Sequence, residues 1–376
     1  MVCRAGCGNC LRGLTFTGII GFRKNASLRL SAVVYVHLAR GVAATWHDLW
    51  GWQVISGVPA VRARGASRSP APHRLSLRVM LGLSVTALMV ANAKAQDAEP
   101  RAYTNTPVGI NFLIGGYVYS QGKMAFDPSL SIADAHFHTH TAVLAYVRSL
   151  DVWGKSAKFD VILPYSSFSA HGLVSGQPRA REMSGSGDPR FRFSINLFGA
   201  PALSVKEFPN YRQDLIIGAS LQVSAPLGQY DNSKLLNLGN NRWSFRPELG
   251  ISKAWGPWTV EVAPSVTFFT DNIDFYNGSM FAQAPIYLVR GHIIYNFESG
   301  MWLSLDGTYL AGGRTIVNGV KGDNEQANTR AGLTLALPVD RNNSIKLNAS
   351  TGITTRTGSE FSAIGAAWQY RWGAGY

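Results

Sequence analysis

The stretch AAWQYRWGAGY, residues 366–376, decides how the rest of the chain is read. Trp368, Tyr370 and Trp372 occupy alternate positions, and Tyr376 is the last residue. Side chains of a β-strand point to opposite faces in turn, so these aromatics share one face. A terminal segment loses order unless something ties it down. The face therefore needs a cover, and the remaining sequence says what the cover is.

The same alternation recurs upstream. In DPRFRFSINLFGA (188–200), Phe191, Phe193, Ile195 and Leu197 oppose Arg190, Arg192, Ser194 and Asn196. In RWSFRPELGISK (242–253), Trp243, Phe245, Leu249 and Ile251 oppose Arg242, Arg246, Glu248 and Ser252. Twelve such segments are predicted: 106–119, 136–149, 156–168, 189–198, 213–225, 242–254, 257–270, 285–297, 301–311, 328–338, 344–356 and 361–376. Long polar connections at 120–134, 169–187, 226–241, 271–284 and 312–327 mostly alternate with short ones, and 199–212 is a long exception among the short set.

Twelve amphipathic strands fit two architectures. A soluble sandwich turns its apolar faces inward; a membrane barrel turns them to lipid and lines its lumen with polar groups. Aromatics gather near strand ends (Tyr117, Tyr119, Trp243, Trp258, Phe268, Phe269, Trp302), as belts at two membrane interfaces require. Lipid offers no water to a free sheet edge, so the last strand must pair with the first. The expected fold is all-β: a transmembrane antiparallel up-and-down barrel of about 12 strands, preceded by a signal peptide. Trp368, Tyr370, Trp372 and Tyr376 then form the aromatic terminus by which the barrel-assembly machinery recognises its clients.

Charge is divided unevenly. The formal charge is +13, yet residues 1–95 hold 12 basic residues against the single acid Asp48. The rest of the chain is nearly neutral, with 23 basic and 21 acidic residues. A nucleic-acid partner is thereby excluded, because the basic character belongs to the leader. In that leader, Arg74 and Arg78 flank an apolar core, Val79 to Val90, and Ala93-Lys94-Ala95 is a small-x-small cleavage site. Twelve apolar residues are too few for a transmembrane helix, which needs about 20. Residues 1–79 are read as an extension that includes the positive flank: either an upstream start beyond the natural one or a long disordered targeting region. Residues 80–95 are the signal core and cleavage site, and 96–376 are the barrel. The three cysteines, Cys3, Cys7 and Cys10, match the spacing of an iron–sulfur loop, but no alternation of strand with helix follows to house such an enzyme.

These residues resemble a known family, the outer-membrane proteins of the MetA pathway of phenol degradation. AYTNTPVGINFLIGGYVYS, SGSGDPRFRFSINLFGAPAL, SLQVSAPLGQYD, NRWSFRPELGISKAWGPWTVE, FFTDN, GGRT and AWQYRW carry the resemblance, spread over nearly all of residues 102–376. It implies an outer-membrane barrel of a Gram-negative bacterium that passes hydrophobic or aromatic compounds.

No catalytic, cofactor-binding or metal-binding residues are assigned. HFHTH places His136, His138 and His140 on one strand face, but in steps of about 7 Å, too far apart to share one ion unaided. The expected polar stripe of lumen or rim includes them. SGSGDPRF lacks the Lys and helix of a phosphate loop, and TDNIDFYNG reads as a solvated loop. The candidate pore lining is Arg190, Arg192, Arg242, Arg246, Glu248, Glu261, Arg290, His292, Asp306, Arg330, Lys346, Arg356 and Arg371, with Arg148, Lys158, Asp160 and Asp214 on the same parity. Such charges either pair across the lumen or leave an Arg-rich constriction that favours anions. The expected surroundings are outer-membrane lipid and lipopolysaccharide, with small hydrophobic or aromatic solutes inside.

Overall fold

The computed structural model describes residues 99–125 and 132–374. The leader, its cleavage site and Tyr376 lie outside the described residues.

Seventeen strands follow one another. They are β1 (Asn111–Ala125), β2 (Ile132–Val152), β3 (Lys155–Val174), β4 (Gln177–Ser186), β5 (Arg190–Phe198), β6 (Leu215–Ser224), β7 (Ser244–Trp255), β8 (Trp258–Phe269) and β9 (Asn272–Phe275). Then come β10 (Ser279–Gln283), β11 (Ile286–Asn296), β12 (Trp302–Gly312), β13 (Thr315–Val317), β14 (Val320–Lys321), β15 (Gln326–Pro338), β16 (Asn343–Thr354) and β17 (Gly358–Trp372). Twelve of them form a closed antiparallel barrel in the order β1, β2, β3, β5, β6, β7, β8, β11, β12, β15, β16, β17. β17 returns to β1 over fifteen residue pairs, from Asn111 opposite Trp372 to Ala125 opposite Gly358. That pairing ties down the last strand, while Trp368 and Tyr370 remain exposed on the outer face.

Each predicted segment corresponds to one barrel strand. The loops differ more. The loop expected at 169–187 is instead the outer half of β3 paired with β4, whose residues Tyr165 to Val174 and Gln177 to Ser186 stand opposite each other. Ser175 and Gly176 both have positive φ, 51° and 75°, the two-residue turn that matches strand twist. β3 stays paired with β2 up to Val174, while on its other edge the inner half pairs with β5 and the outer half with β4. β9, β10, β13 and β14 form a small second sheet in two loops at the same end. The opposite end has the tight connections 153–154, 256–257, 297–301 and 339–342, together with the long exception 199–214.

The faces are inverted relative to a soluble protein. On β12, Trp302, Ser304, Asp306 and Thr308 are buried, while Leu303, Leu305 and Tyr309 are exposed. Among the described residues 40 large hydrophobic side chains are exposed; the buried apolar set numbers 14, nine of them alanine. An oily core is thus missing, and the apolar surface far exceeds the few hundred Å² a soluble monomer tolerates. Two aromatic girdles border it. Trp258 meets Tyr295 at 4.8 Å and Trp368 stacks on Tyr370 at 6.1 Å near the short-turn end. Tyr117, Tyr165, Trp243, Phe268 and Tyr309 stand exposed toward the long-loop end. Trp302 departs from the expected belt: it faces inward, 9% exposed.

Candidate functional site

The interior contains a segment that the strand pattern did not predict. Residues 106–110 were expected inside the first strand; β1 instead begins at Asn111, and Glu99–Ile110 runs within the barrel. Pro100 and Pro107 cannot donate to a ladder, which explains why the strand starts late. Ile110 is anchored to β2, its amide donating to Ser149 Oγ at 2.9 Å. Lys158 Nζ donates to the carbonyls of Ala102 and Thr104 at 3.1 and 3.0 Å, and Asn196 Nδ2 to the carbonyl of Tyr103 at 3.0 Å.

Tyr103 is the largest buried side chain of the segment, 5% exposed. Its hydroxyl donates to Glu248 Oε1 at 3.0 Å and lies 3.2 Å from Ser220 Oγ. Its ring rests on Gly218 and Gly250, a directly opposed pair on β6 and β7. A Cβ at either position would fall inside contact distance of that ring, so glycine is required here for close approach. The Arg101 amide donates to Glu261 Oε2 at 2.7 Å, and its guanidinium lies 5.6 Å above the Trp302 ring.

Glu99 completes the arrangement. It pairs with Arg192 of β5 at 3.4 Å and with Lys346 of β16 at 3.2 Å. Those strands lie on opposing arcs of the barrel, so the carboxylate links two walls. The Lys346 ammonium, with Arg192 behind it, holds that carboxyl at about 2, outweighing the opposing cost of burial.

Most strand-borne charges pair along the wall. His292 Nδ1 lies 2.7 Å from Asp306 Oδ1, its direct cross-strand partner, and Asp306 also accepts from Thr334 Oγ1 at 2.6 Å. Arg192 Nε donates to the opposed Asp160 at 2.5 Å. Arg246 donates to the opposed Gln222 at 2.9 Å, and Glu261 accepts from Ser252 at 2.9 Å. Arg290 and Glu248, two strands apart, form a buried ion pair. Pairing across the lumen is made by Glu99, a residue outside the expected lining. Low-dielectric burial makes each such network costly to leave half-satisfied.

Arg242 and Arg330 are held differently. Arg242 sits between Phe269 and Phe281, 4.3 and 4.7 Å from their centroids, and donates to Gln283. Arg330 lies 4.0 Å over Phe361, and Arg190 is half-buried on the same inward parity as Arg192. Three expected lining positions, Arg356, Asp214 and Arg148, are corrected, while Arg371 keeps the inward parity of Ala363 and Gly365 on β17. Arg356 lies beyond β16 and pairs with Asp323 at 3.7 Å on the exposed loop side. Arg371 sits at the short-turn end, donating to the Arg341 carbonyl at 2.8 Å. Asp214 pairs with outward-facing Lys253, and Arg148 is exposed on the outer parity of β2.

The histidine stripe is also relocated. His136, His138 and His140 share their parity with exposed Leu144, so they face outward rather than into the lumen. His140 Nδ1 lies 2.6 Å from the Tyr117 hydroxyl, and His136 stacks on His171 at 5.6 Å. Among the described residues no group of three or more His, Cys, Asp or Glu is placed to hold a metal ion.

The family described as "Putative MetA-pathway of phenol degradation" matches residues 128–370. The chain belongs to this family. In fold it is similar to the COG4313 outer membrane channel of Pseudomonas putida F1, with 20% identity, a TM-score of 0.61, and coverage of 73% of this chain and all of that one. Weaker likenesses are the transport unit of the Escherichia coli autotransporter AIDA-I (10% identity, TM-score 0.43, 77% of this chain and 97% of that one) and the β domain of the Bordetella autotransporter BrkA (8%, 0.42, 70% and 100%). No curated protein matches the chain.

Proposed function

We propose that this phenol-degradation family member is an outer-membrane channel for passive passage of small hydrophobic or aromatic compounds through a narrow route. The observation that carries the reading is Glu99–Ile110: a segment threaded into a closed polar-lined barrel and clamped to opposing walls narrows the passage. The family match and the channel-like fold support it. The short-turn end, where β1 begins and β17 ends, then faces the periplasm, and the long loops face outward. Cleavage after Ala95 leaves Gln96 three residues before Glu99, and the girdle at Trp368, Tyr370 and Trp372 serves the assembly machinery.

Proteoliposomes with and without the protein, loaded against labelled phenol and toluene, test the reading. Faster entry with protein is expected; equal entry would leave a purely structural or adhesive barrel, the rival reading. A large, weakly selective current in planar bilayers would rule out the narrow route.

Lumen selectivity gives a second expected result. Arg242 and Arg246 both sit on the inward face of the β6–β8 wall. Arg242→Glu with Arg246→Glu should move the reversal potential toward cations, by reversal of fixed charge in the lumen. Identical reversal potentials in variant and wild type would refute an Arg-based anion preference.

A further inference from the structure

A second site lies at the long-loop end, on the inner side of the hairpin formed by β3 and β4. The loop at 226–241 is fixed there from beneath. Asp188 accepts from the amides of Gly228 and Asn240, at 3.0 and 2.9 Å, and the Gln229 amide donates to the Ser186 carbonyl at 2.8 Å. These bonds hold Leu235 and Leu236 over the hairpin, leaving a cavity of about 160 Å³.

The cavity has two chemical faces. Leu235, Leu236, Met124 and Val174 supply an apolar wall, while Arg179, Arg181 and Lys234 supply cations. The volume is near that of an apolar cavity known to hold one benzene, about 150 Å³. Among the described residues the buried Nε of Arg181 has no hydrogen-bond partner. A buried guanidinium N–H left without an acceptor is costly, and the Arg181 side chain lines the cavity. The neighbouring Asp231 carboxylate accepts from the Ser233 amide and hydroxyl through one oxygen, Oδ1, at 2.9 and 2.7 Å.

We propose that this cavity is an external capture site for a ring-sized carboxylate, its ring against Leu235 and Leu236 and its carboxylate on Arg181. The inference deepens the channel reading and rests on it for its place on the solute's path. A guanidinium–carboxylate contact is charge-assisted and orients a planar ligand, whereas the apolar wall alone would hold a neutral ring weakly and without preference. The site thus discriminates by charge before a solute reaches the lumen.

The test is equilibrium binding of 4-fluorobenzoate, followed by fluorine NMR, to the full protein in nanodiscs. Saturable binding is expected, with about tenfold weaker binding of 4-fluorobenzyl alcohol, the factor set by loss of one charge-assisted contact. Arg181→Gln should abolish that preference, and Leu235→Asp should weaken both ligands. Equal affinity for acid and alcohol, unchanged affinity in Arg181→Gln, or no saturable binding would each overturn the site. The acid-against-alcohol comparison uses wild type alone and stands even if a variant misfolds. Flux is measured on the same preparation. If vesicles pass fluorobenzoate but no site saturates, the capture site falls and the channel stands. If the site saturates and loses its preference in Arg181→Gln while vesicles pass nothing, the site stands and the channel reading falls.

Discussion

Tyr103→Ala combined with Glu99→Ala is expected to raise single-channel conductance several-fold while leaving the barrel folded. The two side chains hold the lumen segment at separate points: the tyrosine on the Gly218–Gly250 pair and on Glu248, the carboxylate between Arg192 and Lys346. Neither belongs to a barrel strand, so the wall ladders persist without them. An approach from the opposite side should reach the same state. Gly250→Leu places atoms where the Tyr103 ring lies and should expel it. Acid should act likewise. Glu99 titrates near 4.5 when free and about 2 when clamped, so its contribution is complete above pH 4.5 and lost as pH falls toward 2. Conductance should rise over that window, and Glu99→Gln should lack the rise. Wild-type conductance in all these variants would show that the segment obstructs nothing.

The second large effect concerns stability. Arg290→Met should destabilise the barrel by about 3–5 kcal/mol, because Glu248 would remain buried without its cation. Both partners are nearly inaccessible, with side-chain exposures of 6% and 3%, so water cannot compensate. Adding Glu248→Met should recover much of the loss, since a matched apolar pair removes the isolated charge. Urea unfolding of the folded protein from lipid vesicles, comparing both single variants with the double, measures the coupling. Equal losses in single and double variants would show that the pair is not a unit.

The barrel was legible because its signal is repeated and physical. Phe193 against Arg192, or Leu249 against Glu248, already states which faces meet lipid and which meet the lumen. Parity alone could also have placed the histidines: His136, His138 and His140 continue the Leu144 face, which is exposed and apolar. Their polar character suits a lumen or rim stripe, but register decides, because a one-residue shift moves every side chain to the other face. Glu99–Ile110 left no periodic trace. Its hold depends on Glu248, Glu261, Arg192 and Lys346, more than 90 residues away in sequence, and on two glycines whose use appears only when a ring rests on them. Of its sequence, only Pro100 and Pro107 argued against a strand. β4 was hidden by a different cause: QPRAREMSGS is polar on both faces, as a hairpin beyond the lipid can afford to be.

The pairing of β1 with β17 makes closure a long-range event. The Asn111 side chain bonds the carbonyl of Trp372, 261 positions later, so the cylinder closes only when its two most distant strands meet. Without β17, β1 and β16 each present a bare ladder, a template for joining other chains. A premature stop before Gly358 therefore yields no smaller pore. It yields a ribbon with two open margins, fit for aggregation or for disposal.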